Sequence, residues 1–411
     1  MSDVSNALYD CRVNMPGKVY CLYDLAVWKN GLAFKKIDFS EDGVPVIKIA
    51  ELNNGIGAST AFTNGTYSEE VHLFKGDMLF SWSGNPQTSI DVFWFPLEEG
   101  WLNQHIFKVT PYEKIVLKEY FYYLMKSLKN VFTKIASNKQ TTGLGHVTIK
   151  DLKQIKVTIP ELSVQKSIID VIKPVDDKIS NNGEINRNLL EQAQVLYKSW
   201  FVDLEPFDGE RPADWKDGIV NDLASEVICG KTPSTKKEEY YGDDIPFVTI
   251  PDMHGCVYTV HTEKSLSKLG AESQSKKMLP KDSICVSCIG TAGLVTLLSV
   301  PSQTNQQINS IIPKANYSPY YIYLLMSTMK ETINKLGQAG STIVNLNKTE
   351  FGKMEVLIPS IKVMGDFDEI AEPIFNTILS NQIENTKLSS LRDTLLPKLM
   401  SGELDVSDKN I

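Results

Sequence analysis

Lys156-Val157-Thr158-Ile159-Pro160 returns 199 residues later as Glu355-Val356-Leu357-Ile358-Pro359, and a long stretch with helical spacing follows each copy. The apolar alternation reads as a strand, and the proline ends it. Upstream landmarks recur in the same order. Val44-Pro45-Val46-Ile47-Lys48-Ile49-Ala50-Glu51-Leu52 returns as Ile245-Pro246-Phe247-Val248-Thr249-Ile250-Pro251-Asp252-Met253. Lys75-Gly76-Asp77-Met78-Leu79-Phe80-Ser81 returns as Pro280-Lys281-Asp282-Ser283-Ile284-Cys285-Val286, with Asp77 matched to Asp282. Leu102-Asn103-Gln104-His105-Ile106 returns as Thr304-Asn305-Gln306-Gln307-Ile308. A Tyr-rich helix from about Tyr120 to Ala136 returns from Tyr320 to Leu336. The chain is a duplication, and that governs every later assignment.

A length of 411 residues with 42% hydrophobic content accommodates two globular domains and their connectors. Short strands separated by Gly, Asn and Asp turns, with helices after them, give a mixed α+β (α/β) class. The domains expected are 1–162 and 206–361, each followed by a long helical region, 163–205 and 362–411. The helices should run from about Ser163 to Val202 and from about Lys362 to Leu399. Pro174 and Pro373, again 199 apart, should kink or restart them. Beyond the prolines, Leu189, Leu196 and Trp200 keep helical spacing and match Leu388, Leu395 and Leu399. An apolar stripe on a long helix needs a cover, and the twin helix supplies one. The expectation is an antiparallel pair with pseudo-twofold symmetry and a globular unit at either end. A rod of roughly 30 to 50 Å would be comparable to the distance between successive major-groove faces of B-DNA, about 34 to 36 Å.

No run of 18 apolar residues and no secretory leader is present, so the expected setting is the cytoplasm, with no membrane partner. The six cysteines are scattered, as suits reduced thiols. A net charge of −8 argues against a uniformly basic nucleic-acid binder, although seven lysines from Lys126 to Lys156 face one acid, Asp151. Those lysines, and Lys231, Lys236 and Lys237, fit either a phosphate-binding patch or a solvated face.

Signatures of catalysis fail one by one. Gly230-Lys231-Thr232 resembles the end of a phosphate-binding loop, but Ser225 stands where its first glycine belongs. Asn85-Pro86-Gln87-Thr88 lacks the second proline and the aromatic residue of an amino-methyltransferase turn. Cys285-Val286-Ser287-Cys288 has zinc-ligand spacing without a second pair, so no metal site and no catalytic residue is expected. What differs between the halves is polar and loop-borne. The first half offers Ser83, Asn85, Asn138, Lys139, Gln140 and Thr141, and the second offers Lys231, Lys236, Thr291, Gln338, Ser341 and Thr342. Amide, hydroxyl and ammonium side chains are the types that read base edges, and they also serve as turn chemistry.

The segments Gly76-Asp77-Met78-Leu79-Phe80-Ser81-Trp82-Ser83-Gly84 and Gly100-Trp101-Leu102-Asn103-Gln104-His105-Ile106-Phe107 look like core phrases of a target-recognition domain. With Asn188-Leu189-Leu190-Glu191, Trp200-Phe201-Val202-Asp203 and the ending Leu395 to Leu404, the whole chain resembles the specificity subunit of a type I restriction-modification system. The resemblance implies a non-catalytic subunit that reads a bipartite double-stranded DNA site, one half per domain. It also implies helices that dock two methyltransferase subunits, to which restriction subunits attach. S-adenosylmethionine, ATP and Mg would then sit on those partners, with no cofactor in this chain. Other readings are the specificity partner of a type II-like enzyme and a two-domain module for a non-nucleic ligand. An autonomous methyltransferase or nuclease is disfavoured by the missing motifs.

Overall fold

The computed structural model describes residues 10–13, 15–57, 59–140, 143–338 and 344–406. They divide into two compact units, one comprising the chain up to Val175 and from Leu391 onward, the other Asp176 to Ser390. Each unit thus holds the beginning of one long helix and the end of the other.

In the first unit the central sheet is antiparallel, in the order Ala26–Asn30, Ile106–Pro111, Met78–Ser81, Asp91–Trp94. Met78–Ser81 is buried throughout, and its alternation feeds two cores. Met78 and Phe80 join Tyr120, Phe121, Phe132 and Ile135 from the helices, while Leu79 faces Ile47, Leu73 and Leu102. Each such side chain contributes roughly 1.5–3 kcal/mol when taken out of water. The second unit repeats this order with Ala224–Cys229, Ile308–Pro313, Ile284–Ser287 and Val295–Leu298. Ile284 and Val286 enter its main core, and Cys285 enters the smaller one. Both units also contain a parallel pair, Val44–Ile47 with Glu99–Leu102 and Tyr241–Val248 with Gln303–Thr304.

The backbone moves the repeat register at the Asp turn by one residue. The amide of Gly76 reaches the Phe95 carbonyl (2.9 Å), and that of Asp282 reaches Leu298 (2.9 Å). Both residues adopt the left-handed conformation, at φ 87° and 64°. Gly76 therefore corresponds to Asp282 and Asp77 to Ser283; the shared Asp in the sequence is a coincidence of adjacent positions. Aspartate serves in place of glycine because its short polar side chain tolerates this region. At a second turn glycine is required: a Cβ on Gly31 or Gly230 would lie 2.1 Å from the carbonyl oxygen of Asn103 or Asn305.

Each Tyr-rich helix is two helices, Lys118–Ser127 with Lys129–Asn138 and Pro319–Thr328 with Lys330–Gly337. The breaks fall at Leu128 and Met329, where ψ is near zero. Redirecting the chain there lets Tyr120, Phe121 and Leu124 on one helix and Phe132 and Ile135 on the next face the same core. The long helices, Leu162–Phe201 and Ile361–Ser401, do not restart at Pro174 or Pro373. A lost hydrogen bond and the ring clash cost about 3 kcal/mol in a helix interior. Buried Ile168 and Ile172 before Pro174, and Ala371, Phe375 and Ile378 around Pro373, offset that cost.

In the second unit the end of the first long helix runs antiparallel to the beginning of the second. Trp200 and Phe201 meet Phe367 edge to face, at 5.9 and 5.1 Å between centroids. Farther along, the contact is polar. Asn182 Nδ2 donates to Asn385 Oδ1 (2.9 Å) and Glu384 Oε2 (2.6 Å), and Asn381 Nδ2 donates to Asn186 Oδ1 (2.8 Å). Asn381 and Asn385 are the repeats of Asn182 and Asn186 at the 199-residue offset, so the two amide pairs are related by the pseudo-twofold symmetry of the duplication. The apolar stripes meet the opening halves of the twin helices and the globular cores. Leu189, Leu196 and Trp200 pack on the second unit's core, and Leu395 and Leu399 on the first unit's. Leu388 is half-buried and belongs to neither core.

Candidate nucleic-acid interface

At one end of the first unit's central sheet the chain leaves Ser81 through Trp82 and Ser83, beside His105, which leads into the neighbouring strand. The Trp82 amide donates to the His105 carbonyl (3.2 Å), and the Trp82 carbonyl accepts from Val147 (2.8 Å). Ser83 and Gly84 pair with His146 and Gly145. The Trp82 indole stacks on Phe107 with centroids 5.6 Å apart and donates Nε1–H to Asn30 Oδ1 (2.9 Å). His105 and His146 lie 5.4 and 6.0 Å from the indole, and His146 Nδ1 is hydrogen-bonded to Ser83 Oγ at 2.8 Å. Partial desolvation, with the neighbouring His146 adding to it, holds the His105 imidazole below its ordinary pKa although the ring stays exposed to solvent. The shift favours the neutral imidazole, which has both donor and acceptor capacity.

The predicted residues fall into several groups. Ser83 is buried and takes part in this cluster. Asn85 is exposed, but its Oδ1 accepts from the Gln87 amide (2.9 Å), closing a local turn. Asn138 and Gln140 are exposed at the end of their helix. The Lys139 ammonium is engaged by the buried carboxylate of Asp151. Burial opposes ionisation of Asp151, but bonds from Lys139 and Thr148 outweigh it and hold the carboxyl below its ordinary value. Lys231, Lys236, Thr291 and Gln338 are exposed. Lys231 and Lys236 make no side-chain hydrogen bond or ion pair among the described residues. Thr291 accepts from Ser287 Oγ through its carbonyl (2.7 Å), and the backbone N–H of Gln338 caps its helix by donating to the Asn334 carbonyl (3.0 Å). Thr141, Ser341 and Thr342 lie outside the described residues.

The lysine-rich stretch is less basic than it reads. Lys126 and Lys129 both bind Asp91, at 3.0 and 2.6 Å, and Lys153 sits over the Tyr23 ring. The two cysteines with zinc-like spacing are buried, and burial pushes both thiols up to about 12. No group of three or more His, Cys, Asp and Glu that could hold a metal occurs among the described residues. No described helix is long and apolar enough to cross a membrane. Trp82 and His146 escaped the choice of candidates, because a tryptophan in a strand reads as core and nothing local links Ser83 to His146.

The family model "Type I restriction modification DNA specificity domain" matches twice, at residues 16–191 and 212–392. The chain belongs to this family of duplicated specificity proteins. It is 36% identical to the type I restriction enzyme HindI specificity subunit of Haemophilus influenzae, over 72% of this chain and 79% of the relative. It is 26% identical to the MjaIX specificity subunit of Methanocaldococcus jannaschii, over 74% and 73%. Its fold resembles the crystal structure of a type I restriction-modification S subunit from M. genitalium, with TM-score 0.55 and 16% identity, covering 94% and 96% of the two chains.

Proposed function

We propose that this chain is the non-catalytic DNA-specificity subunit of a type I restriction-modification enzyme. Each recognition domain, 1–162 and 206–361, reads one half of a bipartite duplex target. The helical regions 163–205 and 362–411 set the half-site spacing and dock two methyltransferase subunits, and restriction subunits join through the assembled complex in the cytoplasm. S-adenosylmethionine, ATP and Mg belong to those partners. The observation that carries this reading is one backbone frame occurring twice, matched by the family at both places, with different polar side chains at the corresponding sheet ends. Exposed apolar residues on the helices, Ile185 at 37%, Val195 at 68% and Leu391 at 47%, support protein docking there. Much of the phosphate contact falls to the partners, in keeping with the net charge of −8.

The test is to co-express the chain with its cognate methyltransferase subunit, expose random DNA to the complex and map methylated adenines by long-read sequencing. The expected result is a split motif with two specific halves and a fixed nonspecific spacer. A stable complex that leaves no modified motif would refute the reading.

A further inference from the structure

The duplication lets one unit serve as the control for the other. At the sheet end the backbone bonds correspond: Trp82 to His105 (3.2 Å) with Cys288 to Gln307 (2.8 Å), and Val147 to Trp82 (2.8 Å) with Leu346 to Cys288 (3.0 Å). The Ser83–His146 pairing corresponds to the bridge between Ile289 and Asn345. Inside the sheet some exchanges stay apolar, as with Met78 for Ile284 and Phe80 for Val286, while Phe107 gives way to Asn309 and Lys108 to Ser310. At its end they change hydrogen-bonding type. Imidazoles at His105 and His146 stand where the second unit has amides at Gln307 and Asn345.

The free valences point the same way. His146 spends Nδ1 on Ser83, and its other ring nitrogen has no partner among the described residues. His105 is exposed, with no side-chain hydrogen bond among them. In the second unit Gln307 Oε1 accepts from Asn305 Nδ2 (3.0 Å), which aims the Gln307 amide as a donor, and Asn345 is exposed. Donor and acceptor patterns of this kind discriminate base edges in the major groove.

We propose that His105 and His146 are specificity-determining residues for the half-site read by the first unit, and that Gln307 and Asn345 are their counterparts in the second. Trp82 is the positioning residue that holds both imidazoles at the sheet end. The proposal rests on the DNA-reading function above.

The test uses the full complex with the methyltransferase subunit and maps methylation on random duplex DNA. The variants are H105Q, H146N, their combination and the reciprocal Q307H. H105Q and H146N should each change base preference by about ten- to hundredfold at one or two positions of a single half-site, leaving the other half and the spacer as they were. Q307H should alter only the opposite half. H105Q replaces an exposed side chain, so it remains informative if H146N loosens the Ser83 contact. Unaltered preference at every position in H105Q, H146N and the double variant would overturn the proposal while the split wild-type motif stood. A wild-type complex with no split motif would remove the underlying reading and the proposal together.

Discussion

Replacing Asn182 with alanine tests the amide pairs that join the long helices within the second unit. Asn182 is 0% exposed, and its Nδ2 donates to Asn385 Oδ1 and Glu384. Alanine removes the neutral amide bond, worth about 1 kcal/mol net, and strands the Asn385 acceptor at a further cost of about 1–3 kcal/mol. Asn385 is only half-buried, so water recovers part of that cost and the expected loss is about 2–3 kcal/mol. For a unit of this size that lowers the melting temperature by roughly 4–12 °C. Calorimetry and urea denaturation of N182A, N385A and the double variant form a cycle. The double variant should cost less than the sum of the singles by about 1 kcal/mol, because the bond can be lost only once. Additivity within about 0.5 kcal/mol, or wild-type stability in N182A, would refute the amide pair as a joint between these helices. A buried polar pair also fixes register, as a single asparagine does in coiled coils, so N182L should weaken the definition of the helix pair even where stability recovers. Cysteine crosslinking across the pair reads that register directly.

Three further outcomes follow from particular contacts. G230A places a Cβ 2.1 Å from the Asn305 carbonyl and should cost about 1–3 kcal/mol or more in urea denaturation; an unchanged midpoint would deny the close approach. Asp151 is held below its ordinary pKa, so its contribution is present above about pH 4 and is lost as pH falls through its folded value. D151N should accordingly lower the urea midpoint at pH 7 and narrow the gap to wild type at pH 3. Asp368 behaves oppositely: burial raises it to about 6, against a hydrogen bond from Ser318 and with help from the Glu372 charge. Between about pH 4 and 6 the folded chain keeps a proton that the unfolded chain has released, so stability falls as pH rises across that window. D368N should abolish this decline in melting temperature, and a parallel decline in both proteins would contradict the assignment.

The sequence by itself determined the duplication, the class of secondary structure in each repeat and the limits of both long helices. Those features are written in consecutive residues: the alternation of Lys156–Ile159, the proline after it and the helical spacing beyond are local and survive translation by 199 positions. Even the turn at Gly76 was placed to within one residue, the slip arising because Asp282 does a glycine's work beside a serine. Tertiary structure alone decided what those elements touch. Asp91 lies 35 residues before Lys126 in the chain and still claims it and Lys129, so a basic run became part of the fold. His146 lies 63 residues from Ser83, and Asn385 lies 203 from Asn182. Pairings at that range leave no periodic trace, because the backbone dihedrals and hydrophobic spacing that shape a helix or strand act over a few residues. Which polar side chains find each other depends on where the packed cores bring the ends of those elements.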